Sequence, residues 1–223
     1  MQNDTPLFQM NTIIIENTLP NVFRQRTDVV SDVWNQVVRL ERGHVYLIEA
    51  TSGTGKSSLC SYLIGYRHDY QGRFLFDNRD IRTYSTAEWV QLRQHSLSHL
   101  FQELRLFPEL TAMENVLIKN QLTGFKSRAE IDTWFDMLGI ADKKDVRIGR
   151  MSFGQQQRVA MMRALVQPFD FILADEPISH LDDENGRIMG QLMMDEARRQ
   201  GAGVVVTSIG KHMALNYEKT LHL

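Results

Sequence analysis

Residues 48–58 read Ile48-Glu49-Ala50-Thr51-Ser52-Gly53-Thr54-Gly55-Lys56-Ser57-Ser58, between an apolar run at 45–48 and a helical pattern at 56–64. Gly, four residues, then Gly-Lys-Ser/Thr between a strand and a helix is the pattern of a loop that wraps phosphate. Gly55, Lys56 and Ser57 match it, and Ala50 stands where the first glycine belongs. Small residues let successive backbone N–H groups curl around phosphate oxygens, and the helix N-terminus adds partial positive charge. Candidate nucleotide contacts are therefore Ala50, Thr51, Ser52, Gly53, Thr54, Gly55, Lys56, Ser57 and Ser58. Lys56 would reach the β- and γ-phosphates of ATP, and the Ser57 hydroxyl would ligate Mg²⁺. Ala50 gives up only the freedom to take a positive φ, so the strand must end there in an ordinary conformation.

About 120 residues further on, Phe171-Ile172-Leu173-Ala174 runs straight into Asp175-Glu176. A buried strand ending in two carboxylates would deliver Asp175 beside the phosphate loop to hold Mg²⁺ through water. Glu176 would orient and deprotonate the water that attacks the γ-phosphate. Pro177, and Asp182 ahead of a long helical stretch, allow a competing reading in which some of these acids cap a helix. That reading leaves the apolar run into Asp-Glu unexplained.

Apolar bursts at 12–15, 45–48, 74–76, 171–174 and 204–207 predict strands. Helical patterns at 56–64, 111–121, 128–138, 155–166 and 182–199 alternate with them. Such alternation predicts an α/β fold with a mostly parallel sheet, and with the phosphate loop the expectation is a P-loop nucleoside-triphosphatase (NTPase) core carrying an N-terminal antiparallel β portion. The stretch from about 83 to 148 is dominated by helical patterns and predicts an inserted α-helical subdomain. The core is then discontinuous, about 1–82 and 149–223, within one domain spanning 1–223.

With 25 Lys and Arg against 27 Asp and Glu, the formal charge of −2 creates no bulk attraction to nucleic acid or anionic lipid, and no nucleic-acid partner is expected. No run reaches the roughly 18–20 apolar residues that a membrane span requires. Residues 1–10 lack the basic start and apolar stretch of a secretory signal. The one cysteine, Cys60, fits a reducing compartment and reads as a small buried apolar residue. Cytoplasmic localisation is the expectation, and the end at Leu223 predicts no appended regulatory domain. The histidines other than His180 (His44, His68, His95, His99, His212 and His222) are scattered without metal-ligand spacing.

Between the two motifs lies Met151-Ser152-Phe153-Gly154-Gln155-Gln156-Gln157-Arg158, opening an apolar helix. This resembles the Leu-Ser-Gly-Gly-Gln signature of ATP-binding-cassette (ABC) proteins. Leu100-Phe101-Gln102 is similar to that family's glutamine loop, and Ser179-His180-Leu181-Asp182 to its aspartate loop. The resemblance spans nearly the whole chain. It implies a homodimer closed head to tail around two ATP molecules, each held between one copy's phosphate loop and the other's signature. Ser152, Gly154 and Gln155 would then contact nucleotide across the interface, and Gln102 would join Ser57 and Asp175 around Mg²⁺. Phe23, about 20 residues before the turn at 41–43, is the expected adenine-stacking ring, with a core role as its alternative.

Three positions depart from the family pattern. Phe153 replaces the first signature glycine. Ser208, in Thr207-Ser208-Ile209-Gly210, stands where a histidine usually touches the γ-phosphate, which would weaken transition-state stabilisation. His180 replaces a small residue, and its imidazole is a candidate to stand in, across the dimer, for that missing histidine; a plain interface residue is the alternative. The expected catalytic set is Glu176, Lys56, Gln102, Ser208 and His180.

The resemblance further implies a membrane permease docking beside Gln102, which would hold the chain on the cytoplasmic face of the inner membrane. Residues 106–116 (Leu-Phe-Pro-Glu-Leu-Thr-Ala-Met-Glu-Asn-Val) are similar to the lipoprotein-release, macrolide-exporter and cell-division branch; Thr111 and Glu114 also form a capping-box pattern. A soluble ABC ATPase without a permease, and a slow or non-hydrolysing ATP-dependent dimerisation module, remain the alternatives. Retention of Glu176 speaks against the last.

Overall fold

The computed structural model describes residues 9–26 and 28–223, so most of the stretch 1–10 read above for a targeting signal lies outside the described residues. Strands β1 (Thr12–Pro20), β2 (Val37–Glu41), β4 (Tyr70–Phe76) and β5 (Arg79–Asp80) form an antiparallel sheet in the order β2-β1-β4-β5. Strands β3 (Val45–Glu49), β6 (Leu97–Leu100), β7 (Phe171–Asp175), β8 (Gly203–Ser208) and β9 (Lys219–His222) form a parallel sheet in the order β6-β7-β8-β3-β9. The helices are α1 (Lys56–Leu63), α2 (Thr86–His95), α3 (Ala112–Asn120), α4 (Arg128–Met137), α5 (Phe153–Leu165) and α6 (Asp183–Gln200).

The parallel sheet is covered on both faces, which is why its strands read as unbroken apolar runs. Val45, Leu47, Ile172, Ala174, Val204 and Val206 pack with α3 to α6 in one core. Their neighbours Tyr46, Ile48, Leu173 and Val205 turn the other way, into a second core with α1 and the antiparallel sheet. Period-2 alternation therefore divides each strand between two cores. The phosphate loop sits where β3 leaves the sheet and α1 enters the second core.

Four elements escaped the pattern reading of strands, and one helix escaped that of helices. β2, β5 and β9 are short with alternating or polar side chains, and β6 carries Ser98 and His99. α2 has no strong apolar stripe, yet it is started by a reciprocal cap between Ser85 and Glu88. β6 falls within the stretch of about 83–148 expected to be dominated by helices. It pairs in register with β7, Leu97 opposite Phe171 through Leu100 opposite Ala174, so this part of the stretch belongs to the parallel sheet. The helices that follow, α3 and α4, are each started by the same kind of cap, Thr111 with Glu114 and Ser127 with Glu130.

The β1–β4 pairing slips between Glu16 and Leu19, and Gly72 lies opposite this irregularity with φ +79°. A β-carbon on Gly72 would stand 2.2 Å from the Asn17 carbonyl oxygen. That neighbour is backbone and cannot swing aside, so both the dihedral and the space select glycine. Gly72→Ala is expected to lower unfolding free energy by at least about 1–3 kcal/mol in urea denaturation, in line with other strained or overpacked sites. A midpoint equal to the parent's would refute this account of the bulge.

Candidate functional site

Strand β3 runs out at Glu49. The Ala50 N–H donates to the Ser208 carbonyl at 2.9 Å, and Ala50 takes no positive φ, so a β-carbon is accommodated at the first glycine position. Gly53 and Gly55 carry the loop's left-handed turns at φ +83° and +98°. Gly55 is also tightly enclosed: a β-carbon would meet Phe23 Cε2 at 3.0 Å and Trp34 Cζ2 at 3.1 Å. The Trp34 indole Nε1 donates to the Thr54 carbonyl at 2.8 Å. Trp34 thus buttresses the loop from beneath, a role with no local sequence signal because the contact spans 20 residues.

Phe23, Thr51, Ser52, Gly53, Gly55, Lys56, Ser57, Ser58 and Gln102 line one open groove of about 410 Å³, together with Val22 and Ile209. Phe23 is at one end, mostly buried, with the Arg26 guanidinium 5.3 Å from its ring centroid. The expected base-stacking and phosphate-binding residues therefore share one groove.

At its inner end the Lys56 ammonium is held by Asp175 Oδ1 at 2.7 Å, Gln102 Oε1 at 3.0 Å and Glu176 Oε1 at 3.4 Å. Burial works against the charge on Lys56, but the hydrogen bond and charge of Asp175, with Glu176 beyond, outweigh it and raise its pKa. Asp175 Oδ1 also accepts from the Thr207 hydroxyl at 2.6 Å. Hydroxyl, amide oxygen and carboxylate are the donor types Mg²⁺ takes; the Gln102 and Asp175 oxygens already surround a cation here and Ser57 lines the same groove, so the three fit that ion.

Glu176 sits past the strand end with φ +51°, a left-handed conformation that is uncommon outside glycine. Its N–H donates to the Thr207 carbonyl at 3.0 Å, and its carbonyl accepts from Gln157 Nε2 at 3.1 Å. Gln157, fully buried on α5, ties the signature helix to the carboxylate turn, a contact between distant segments that the sequence pattern does not signal. The glutamine loop has a similar brace. Leu104 and Arg105 both take positive φ, and Arg163 of α5 donates to both of their carbonyls. Burial, with Arg105 close by, lowers the Arg163 pKa to about 10.

Ser208 does not stand where the motif alignment puts it chemically. It is fully buried, and its hydroxyl donates to the Lys211 carbonyl, so it points away from the groove; Ile209 lines the groove instead. Lys211 in turn reaches the aspartate loop, donating to the Leu181 carbonyl at 2.8 Å with Asp183 at 3.0 Å.

Ser152, Gly154 and Gln155 are absent from the groove that holds the phosphate loop. Ser152 Oγ accepts from the Gln155 N–H while Gln155 Oε1 accepts from the Ser152 N–H, so the Gln155 side chain caps α5. Phe153 and His180, two of the three departures, touch each other: their ring centroids lie 4.3 Å apart, tilted by 59°. His180 Nδ1 meets the Ser179 hydroxyl at 2.8 Å, and both residues are exposed.

On the far side of β6 a groove of about 440 Å³ is lined by Tyr66, Phe101, Phe107, Ile118 and Leu122, rimmed by Arg93, Arg105, Lys119 and Arg163. His99 lines it as well. Burial pulls the His99 pKa down to about 4, and burial pushes the neighbouring Cys60 thiol up.

A phosphate loop, a buried acidic strand end and a separate capped helix start on this α/β frame define a nucleotide-binding cassette. The sequence profile of the family described as ABC transporter matches residues 35–179, and the chain belongs to that family as one of its ATPase cassettes. It is 30% identical over 222 residues, 96% of both chains, to the lipoprotein-releasing system ATP-binding protein LolD of Myxococcus xanthus. It is 31% identical over 202 residues to the macrolide export ATP-binding/permease protein MacB of a Shewanella species, covering 89% of this chain but 31% of that protein, about a third of its length. The structure resembles the dimeric bacterial ABC transporter cassette MJ0796, with a TM-score of 0.72 at 27% identity over 88% of this chain and 87% of that one. A post-hydrolysis form of the same cassette, bound to ADP and phosphate, gives a TM-score of 0.70 at 27% identity, with the same coverage of each chain.

Trp34→Phe keeps the ring beneath the loop and removes only the donor to Thr54. ATP affinity is expected to fall about two- to tenfold by fluorescence titration, the value of one hydrogen bond. Unchanged affinity in a folded variant would show that this bond does not shape the loop.

Proposed function

We propose that this chain binds MgATP in the groove of Phe23 and the phosphate loop, hydrolyses it within a homodimer, and thereby drives a separate membrane permease. The observation that carries the reading is the placement of Lys56, Asp175, Glu176 and Gln102 around one point at the inner end of that groove.

The adenine stacks on Phe23, and the backbone N–H groups of 51–58 take the phosphates. Lys56 transfers its contacts from the carboxylates to the β- and γ-phosphate oxygens, freeing Asp175 and Glu176. Ser57, Gln102 and Asp175 hold Mg²⁺, which when bound neutralises phosphate charge. Glu176, aimed by its left-handed turn, orients the attacking water and takes its proton. The γ-phosphate is completed by the second copy, through the Ser152 hydroxyl and the Gly154 N–H at the start of α5. Because closure depends on the terminal phosphate, its loss lets the halves part.

With Ser208 turned onto Lys211, the histidine role falls to His180. Phe153 and Ser179 steady its ring on the aspartate loop and leave Nε2 for the other copy's nucleotide. The permease contacts the apolar groove beside the glutamine loop, and the chain associates peripherally with the membrane through it. No helix among the described residues is long and apolar enough to cross a membrane.

Glu176→Gln is expected to retain ATP binding, accumulate as an ATP-bound dimer in light scattering and lose at least about 100-fold in turnover. A parent no faster than this variant defeats the enzymatic reading. His180→Ala should slow turnover about tenfold or more without weakening ATP binding, as loss of a transition-state contact does; an unaltered rate ends the substitution idea. Leu122→Asp, in the apolar groove, should leave the isolated chain's ATPase intact and prevent its recovery with a membrane subunit from detergent extracts. Recovery at the parent's level would move the docking site elsewhere.

A further inference from the structure

His99 lies on β6 with both ring nitrogens buried and without a hydrogen-bond partner. A buried polar atom left unpaired is costly, so an imidazole orphaned at both nitrogens calls for a ligand. Phe101 packs against the ring at 4.1 Å between centroids, which explains its orientation but satisfies neither nitrogen. Cys60, on α1, and Asp175, at the end of β7, face the same space: one ligand atom from each of Cys60, His99 and Asp175 lies within 4.8 Å of the others. Both hydrogen bonds to the Asp175 carboxylate fall on Oδ1, leaving Oδ2 available.

We propose that Cys60, His99 and Asp175 form a binding site for a zinc-class divalent ion, and that its occupancy withdraws Asp175 from nucleotide chemistry. Sulfur, imidazole nitrogen and carboxylate oxygen are a borderline-soft ligand set suited to tetrahedral Zn²⁺, while Mg²⁺ prefers oxygen alone. Zinc binding displaces one proton: the Cys60 S–H bond breaks, a Zn–S bond forms, and H⁺ leaves to solvent. Thiolate and carboxylate then balance the dication, and Lys56 keeps Gln102 and Glu176 as partners. The Thr207 hydroxyl, 2.6 Å from Asp175 Oδ1 and 3.9 Å from Cys60 Sγ, or a water, completes the fourth position. Zinc and MgATP turnover therefore oppose each other through one carboxylate.

The test uses the metal-stripped full chain without nucleotide, so its outcome is separate from that of the ATPase reading. Zn²⁺ is titrated against a chromophoric chelator with proton release followed in parallel, and Co²⁺ is bound in its place for spectroscopy. One tight zinc per chain, one proton released, and a thiolate-to-cobalt charge-transfer band are expected. His99→Phe and Cys60→Val should each weaken zinc at least about tenfold, keep their zinc-free ATPase, and resist inhibition by zinc. Equal zinc affinity in parent and folded variants overturns the proposal. So does cobalt bound without a thiolate band, the signature of the surface group His212, His222 and Glu49 acting instead. Should either variant fail to fold, the parent's cobalt spectrum alone decides.

Discussion

A single buried ammonium organises this molecule. Lys56 leaves the phosphate loop and is gripped by Asp175 from β7, Glu176 just past it, and Gln102 from the loop after β6. Removing one partner of such a pair is strongly destabilising, since the survivor stays buried and unpaired. The sheet order β6-β7-β8-β3 brings these groups together, because the loop after each strand leaves from the same edge. Under the proposed function, polyphosphate would take over Lys56 and a divalent cation would take over Asp175, leaving Glu176 to face water.

Around that clamp the chain holds unusual backbone in place with side chains from one helix. Glu176 is left-handed and anchored by Gln157; Leu104 and Arg105 are left-handed and anchored by Arg163. Each such residue costs about 1–3 kcal/mol and persists only where its surroundings over-determine it. Both anchors belong to α5, whose N-terminus carries Ser152 and Gly154. α5 therefore braces the carboxylate turn and the glutamine loop from one side.

The departures from the family pattern resolve into a local rearrangement. Phe153 and His180 pack on each other, so the bulk added at one position supports the ring added at the other. Gly154 is closely surrounded: a β-carbon there would stand 3.1 Å from Leu181 Cδ2 and 3.4 Å from the His180 carbonyl, so Leu181 would have to give way. Ser208, by contrast, is held in by the turn to Lys211.

Contiguous patterns were legible from the residues alone. The glycine spacing at 53–57, the apolar run into Asp175-Glu176 and the capping pairs each depend on neighbours in sequence, so their conformations follow from local sterics and hydrogen bonding. The parallel sheet was legible because strands buried on both faces must be continuously apolar, and β6 was missed because Ser98 and His99 interrupt that signal. What needed the fold was every contact between distant segments: Trp34 under Thr54, Gln157 on Glu176, Phe153 on His180, and Cys60 with His99 and Asp175. Histidines that are scattered along the chain carry no ligand spacing, yet strand pairing sets one of them beside a thiol and a carboxylate. Periodicity is a property of near neighbours, whereas such meetings are set by which strands lie side by side, and tertiary packing alone decides that.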